Sequence, residues 1–384
     1  GTITQIADMK GWETSVNIYT GSQLNKRDMQ SSGSYPVQNG GINISGYTEL
    51  YNEEANTITI SQGGASAGHV KWMACNFYAG AHCYVVKPIN NTSLNNRYLY
   101  YFLKRKEIML MNAQYGAGIP ALNRNIVTTL SIPLPPLDVQ NEIVRILDIF
   151  TSHTAELQAE LQARKEQYEY YRNRLLTFDK NDESVKWMKM DEIFEMRNGY
   201  TPSKSKQEYW SYGDIPWFRL EDIRQNGRIL YDSIQHITNK AVKGGKLFNS
   251  NSFIITTTAT IGEHALIMND SLANQQFTNL DIRKSLKNVI DIKYLYYYLF
   301  IVGEWCNRNT NFSGFASVDM KKFKKLQIPI PSLTEQQRIV SILDKFETLV
   351  IDLTEGLPAE IDTVQEQYEY YRNKLLSFPK IKES

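Results

Sequence analysis

The string EQYEYYRN stands twice in this chain, at Glu166–Asn173 and at Glu366–Asn373. Each copy runs into a near match, Arg174–Phe178 against Lys374–Phe378. Upstream, Ile132–Leu137 (IPLPPL) is matched by Ile328–Leu333 (IPIPSL). Chance does not produce this order, so the chain is a tandem duplication and its halves are read against each other. Two copies of one surface imply two copies of whatever binds there.

The Pro-rich strings are offset by 196 residues and the EQYEYYRN strings by 200, so four residues have been added between Phe346 and Glu366. Four residues approximate one helical turn, which a coiled coil absorbs as a stutter. Thr334-Glu335-Gln336-Gln337 forms a capping box after the proline stretch, and Asp138 caps in its place in the first copy. Apolar residues then recur at spacings of three and four: Ile143, Ile146, Phe150, Leu157, Leu161, Tyr168, Tyr171, Leu175 and Phe178. The second copy gives Ile339, Ile342, Phe346, Leu349, Leu353, Leu357, Ile361, Val364, Tyr368, Tyr371, Leu375 and Phe378. A seam this long predicts two coiled-coil helices of about 40 residues, roughly 60 Å each. Gly356 and Pro358 should kink or break the second.

The other segments hold short β-rich runs (Thr57–Ser61, Cys83–Lys87, Ser252–Thr258) punctuated by Gly, Asn and Pro. Each also holds one helical patch, Tyr98–Leu103 matching Tyr294–Leu299, and one glycine turn after a strand, Gly63–Gly68 and Thr257–Gly262. Elsewhere these globular parts diverge, as expected of similar scaffolds that read different targets. The boundaries fall at 1–131, 132–184, 185–327 and 328–384.

The length of 384 residues suits two or three domains, and 42% apolar residues suffice for packed cores. With 42 Lys+Arg against 41 Asp+Glu, any phosphate-binding surface must be a local patch. Three cysteines without metal spacing fit a reducing cytosol, and no apolar run is long enough to span a membrane. No signal peptide is visible, although Gly1 is not a natural start, which leaves a lost leader open.

Taken together, these features resemble the specificity subunit of a type I restriction–modification enzyme. Gly199-Tyr200-Thr201-Pro202-Ser203, Gly213-Asp214-Ile215-Pro216-Trp217 and the turn Gly63–Gly68 support the likeness. The first domain departs from it, with Thr20-Gly21-Ser22 where a Gly-x-Thr-Pro-Ser string is expected. The resemblance implies an α+β fold: two mixed target-recognition domains separated by two long helices in an antiparallel coiled coil, with pseudo-two-fold symmetry. It implies a non-catalytic subunit in which each domain reads half of a bipartite double-stranded DNA site and the helices set the spacer. Two modification subunits would dock on the repeats and methylate adenine with S-adenosylmethionine. Restriction subunits using ATP and Mg are an optional addition, and no cofactor is expected in this chain.

Residue chemistry then nominates side chains. Lys26, Arg27, Gln38, Asn39 and Lys71 in the first domain, and Lys204, Lys206, Arg219 and Arg224 in the second, suit contact with DNA. The stretch Lys321-Lys322-Phe323-Lys324-Lys325 suits backbone phosphate, with Asn123 and Arg124 in the matching stretch of the first copy. Tyr168, Tyr171, Tyr368 and Tyr371 fall on the seam, which leaves Tyr170, Arg172, Tyr370 and Arg372 to meet a partner. The glycine turns read either as tight turns or as holders of DNA phosphate. No Asn/Asp-Pro-Pro-aromatic string or Gly-x-x-x-x-Gly-Lys-Ser/Thr loop is present, and the five histidines lack metal spacing. Two alternatives stay open: a coiled-coil adaptor that binds no DNA, and a self-contained nuclease with duplicated domains.

Overall fold

The structure, a computed structural model, describes residues 8–10, 15–116, 118, 120–311, 316–351 and 356–378, with backbone alone at 8–10 and 351. The chain forms two compact units. Unit 1 holds residues 1–159 and 359–384, and unit 2 holds 160–358.

In unit 1 the strands are β1 (Asp8–Lys10), β2 (Val16–Thr20), β3 (Tyr35–Gln38), β4 (Gly46–Thr48), β5 (Thr57–Ser61), β6 (Val70–Met73), β7 (Tyr78–Ala79) and β8 (Cys83–Pro88). They are followed by α1 (Asn96–Asn112), α2 (Arg124–Thr128) and β9 (Ile132–Leu134). One antiparallel sheet runs β2-β8-β5-β6, and a small one runs β4-β3-β7 with β3 and β7 parallel. Every residue of β5 is buried, as a strand covered on both faces requires. The Pro-rich string forms β9 and pairs with β1, a two-stranded edge where proline costs no ladder hydrogen bond.

The long helix α3 (Leu137–Leu175) leads into unit 2, whose strands begin with β10 (Lys186–Lys189), followed by the short helix α4 (Met190–Ile193). Next come β11 (Phe194–Asn198), β12 (Ile215–Phe218), α5 (Leu220–Asn226), β13 (Ile229–Leu230) and β14 (His236–Ile237). Then follow β15 (Ser252–Thr256), β16 (His264–Ile267), β17 (Leu272–Ala273), β18 (Phe277–Ile282) and α6 (Ile292–Arg308). The globular part closes with β19 (Thr310–Asn311), β20 (Ser317–Val318), α7 (Met320–Lys325) and β21 (Gln327–Ile330). Its sheets run β11-β18-β15-β16-β13 and β14-β12-β17, and β10 pairs with β21. This is the topology of unit 1 with a two-stranded β19-β20 ribbon beside it and one more strand, β13, in the large sheet.

That strand matters at the sheet edge. In unit 2, β13 lies parallel to β16 and covers it. In unit 1 the corresponding strand, β6, is the edge, and side chains guard it: Glu107 accepts from the Val70 amide (2.8 Å), and Lys104 donates to the Val70 carbonyl (3.1 Å). Edge strands left open invite pairing with other chains. Burial pushes the Glu107 carboxyl up, but His69, Lys104 and the Val70 amide bond to it and hold it down to about 2.

Each domain is joined to its following helix in the same way. Gln140 is fully buried. It accepts from the Asn95 amide (2.8 Å) and donates to the carbonyls of Ser93 (2.9 Å) and Pro135 (2.8 Å). Gln336, 196 residues later, accepts from the Asp291 amide (2.8 Å) and donates to the carbonyls of Val289 (3.1 Å) and Pro331 (2.8 Å). Beside it, Tyr98 donates to the Pro133 carbonyl and Tyr294 to that of Pro329. Asp148 receives Arg97 and Tyr101, and Asp344 receives Lys293 and Tyr297.

The second long element is α8 (Leu333–Ile351) and α9 (Leu357–Leu375), interrupted where Gly356 and Pro358 led us to expect a break. Residues 352–355, including the seam position Leu353, lie outside the described ones. Each unit contains the N-terminal half of one long element and the C-terminal half of the other, so the helices pair antiparallel. Phe150 stacks on Tyr371 in unit 1 (5.4 Å), as Tyr171 stacks on Phe346 in unit 2 (5.6 Å).

Two local expectations need correction. The cap of α8 is Ser332, which accepts from the Glu335 amide; Thr334 lies inside the first turn. Asp138 likewise lies within the first turn of α3, where its charge favours the helix dipole without capping. The seam also runs one residue later in places: Leu147, Leu343 and Val350 are buried, whereas Leu349 is exposed.

Gln336→Ala strands three main-chain groups and should cost roughly 3 kcal/mol in the urea unfolding of unit 2. A loss under about 1 kcal/mol would show that water replaces the amide. Glu107 is more acidic folded than an unfolded glutamate, near 4.3, so its stabilisation exists above that pH and is lost as pH falls toward about 2. Glu107→Gln should therefore lower the urea midpoint at pH 6, with the gap closing in acid; a pH-independent gap contradicts the assignment.

Candidate nucleic-acid interface

In both units the first strand of the large sheet ends at a glycine pressed on the small sheet. A Cβ on Gly21 would overlap the Ala79 carbonyl, and one on Gly199 the carbonyls of Ala273 and Asn274. Thr20-Gly21-Ser22 is thus the structural counterpart of the Gly199 string, although its sequence departs from it. The loops that follow carry exposed cations. Lys26 and Arg27 lie on a 3-10 turn, and Lys204 and Lys206 lead into another at Gln207–Tyr209.

Unit 2 builds the firmer platform. Trp217 donates through Nε1 to the Tyr200 carbonyl (3.0 Å), and Trp210, edge-on to Trp217, donates to Ser203 (3.0 Å). A second loop is stitched on: Thr238 donates to the carbonyls of Glu208 and Tyr209, and Lys240 pairs with Glu208 (3.0 Å). Tyr200 donates to the Ala241 carbonyl and accepts from the Lys243 amide, while the Lys243 ammonium sits 4.6 Å from its ring centre. Lys240 and Lys243 thereby join Lys204 and Lys206, and Lys246 is exposed farther along the same loop. Sequence reasoning missed them, and the run Lys240-Ala241-Val242-Lys243-Gly244-Gly245-Lys246 was the available signal.

Several nominated side chains serve the fold instead. Gln38 is buried, donates to the Gly41 carbonyl (2.6 Å) and accepts from Lys71 (3.0 Å), which also donates to Ile42 (3.1 Å). The pair ties down the turn after β3, and burial pushes the Lys71 ammonium below its usual range. Asn39 accepts from the His82 amide (3.2 Å). Asn123 caps α2, as Asp319 caps α7 at the matching position. Arg124, Lys321, Lys322, Lys324 and Lys325 are exposed, whereas Phe323 is buried.

Arg219 follows β12 with its guanidinium 6.0 Å from the Trp217 ring centre and its Nε buried without a hydrogen bond, 4.0 Å from Glu221. Arg224 lies on α5 and lines a different feature, a cavity of about 910 Å³ shared with Glu263, Lys293, Asp344 and Glu347. The glycine turns face their own helices. Gly68 (φ +94°) lies against the Leu110 main chain and Gly262 (φ +91°) against that of Gly303, which explains the glycines by close approach.

On the repeated helices, Tyr170 and Tyr370 are each 59% exposed. Each receives a hydrogen bond from the basic residue one turn on, Arg174 and Lys374 (both 3.4 Å). Arg172 does not face outward as its off-seam position suggested. It is buried, packed over Phe300 (4.6 Å) and 3.6 Å from Glu304. Arg372 is half-buried over Tyr368 (5.2 Å), with its Nε unpartnered. Among the described residues no cluster of His, Cys, Asp or Glu is placed to hold a metal, and no helix is long and apolar enough to cross a membrane.

The family described as type I restriction modification DNA specificity domain matches residues 14–167 and again 182–363. The specificity subunit of the Escherichia coli type I restriction enzyme EcoprrI is 55% identical over 201 residues, half of each chain. That of EcoR124I/EcoR124II, also from E. coli, is 36% identical across 92% of this chain and 89% of its own. In fold, the S subunit of a type I restriction–modification system from M. genitalium superposes with a TM-score of 0.61, at 17% identity, over 99% of each chain.

Arg172→Ala should destabilise unit 2 by about 1–3 kcal/mol through the lost ion pair and ring contact. Tyr170→Ala and Tyr370→Ala should leave unfolding within about 0.5 kcal/mol of wild type. Equal losses across the three variants in urea melts would contradict this division between inner and outer residues.

Proposed function

Because the chain belongs to the type I restriction–modification DNA specificity family, we propose that each unit reads one half of a bipartite duplex site. The subunit recognises DNA sequence and catalyses nothing itself. The observation that carries the two-part reading is a duplicated joint, Gln140 and Gln336, in two domains whose loops after Gly21 and Gly199 differ in most of their sequence. Unit 1 offers Lys26 and Arg27, and unit 2 offers Lys204, Lys206, Lys240 and Lys243 with Arg219 beside them. Arg224, Arg124 and the α7 lysines belong to secondary contacts with phosphate.

Two modification subunits dock on the twin surfaces around Tyr170 with Arg174 and Tyr370 with Lys374; equal exposure of the two tyrosines supports identical partners. S-adenosylmethionine is held by those partners, and ATP with Mg by restriction subunits where these join. The length of the repeated helices sets the spacer. The cytoplasm, which is reducing, suits three free cysteines.

A net charge of +1 makes affinity depend on a few local cations, so binding should weaken steeply with salt. Fluorescence anisotropy of the assembled subunits on a duplex carrying their mapped site tests this. Lys204→Ala/Lys206→Ala should reduce the salt slope by about 2. Binding indifferent to salt, or an unchanged slope in the double variant, would overturn the assignment.

A further inference from the structure

We propose that Tyr212 is a stacking residue, inserted against an unstacked base step in the half-site that unit 2 reads. The inference rests on unit 2 being a DNA reader. Tyr212 is fully exposed, and its backbone is left-handed at φ +59°, a conformation that strains a bulky residue and suits glycine or asparagine. Such a combination points to use outside the fold. Both flanks are rigid. Trp210 is fixed by Trp217 and Ser203, and Gly213 packs so closely on the Ile237 main chain that a Cβ would overlap it. The ring therefore stands out from an ordered rim, and little freedom is lost when it binds.

Charge around it suits a polyanion. Lys204 and Lys206 are in the same loop, and Lys240 and Lys243 are in the loop stitched to it. Cations that hold phosphate beside an aromatic that meets bases are the general arrangement for stacking on nucleic acid. The register of β3 and β12 against their parallel partners aligns Val37 with Trp217, which makes Ser32 the position in unit 1 equivalent to Tyr212. Only the half-site read by unit 2 should then be distorted in this way, so unit 1 supplies an internal control.

The experiment places 2-aminopurine at successive positions of both half-sites in the complex assembled with modification subunits. Apart from the target adenines, which methyltransferases flip out of the stack in both half-sites, fluorescence should rise at one further step in the half-site of unit 2, vanish there in Tyr212→Ala and persist in Tyr212→Trp. Tyr212→Ala should also weaken binding about tenfold with an unchanged salt slope, because no phosphate contact is removed. Retained fluorescence and affinity in Tyr212→Ala overturn the proposal, as does a loss of modification-subunit binding without DNA, which would make Tyr212 a protein contact. If Lys204→Ala/Lys206→Ala weakens binding while Tyr212→Ala does not, stacking alone falls. If neither variant matters, unit 2 is not the reader and both readings fall.

Discussion

One glutamine in each copy fastens a recognition domain to the helix that follows it. Gln140 and Gln336 have no exposed surface, and each satisfies an amide at the start of the domain helix together with two carbonyls, one of them in the Pro-rich turn. Buried main-chain groups left unpaired are costly, so this arrangement admits little slack. The tyrosines at 98 and 294 and the aspartates at 148 and 344 extend it along the helices. The geometry of the reading loops relative to their own helix is thereby fixed in each unit by the same few bonds.

With the joint held constant, the rest of each domain was free to diverge. The edge of the large sheet is closed by β13 in unit 2 and by Lys104 and Glu107 in unit 1. Arg172 meets Glu304, whereas the position matching Glu304 in the first copy is Ile108, exposed to solvent, and the Nε of Arg372 has no partner. The loops near Gly199 carry a Trp-Tyr-Lys platform, while those near Gly21 carry a short basic turn and an inward Gln38–Lys71 pair. Helices that repeat one end surface thus serve unlike readers, as a subunit that recognises two different half-sites requires.

Much of this was legible in the sequence because periodicity and duplication are local signals. The Thr57–Ser61 run is a strand end to end, and the matched tyrosine patches lie within α1 and α6. The Ser252–Thr258 run ends two residues early: Thr257 still bonds the Gln276 carbonyl in register, but its own carbonyl accepts from the Val318 amide and Thr258 bridges to Ser317. What escaped depends on contacts distant in sequence. Nothing near Gln38 announces Lys71, 33 residues on, and Arg172 looked outward until α6 supplied Phe300 and Glu304. Gln140 and Gln336 were findable, being the same residue at the repeat offset, but a glutamine early in a helix reads as surface.

The central claim is that two independent readers share one duplicated mount. Sequencing of methylated DNA from cells that express this chain with its modification partners tests it most directly, comparing wild type with a chimera whose residues 185–327 come from a relative. A bipartite adenine motif in which the exchange alters one half, with the other half and the spacer unchanged, is the expected result. A continuous motif, or a change in both halves, would contradict the account.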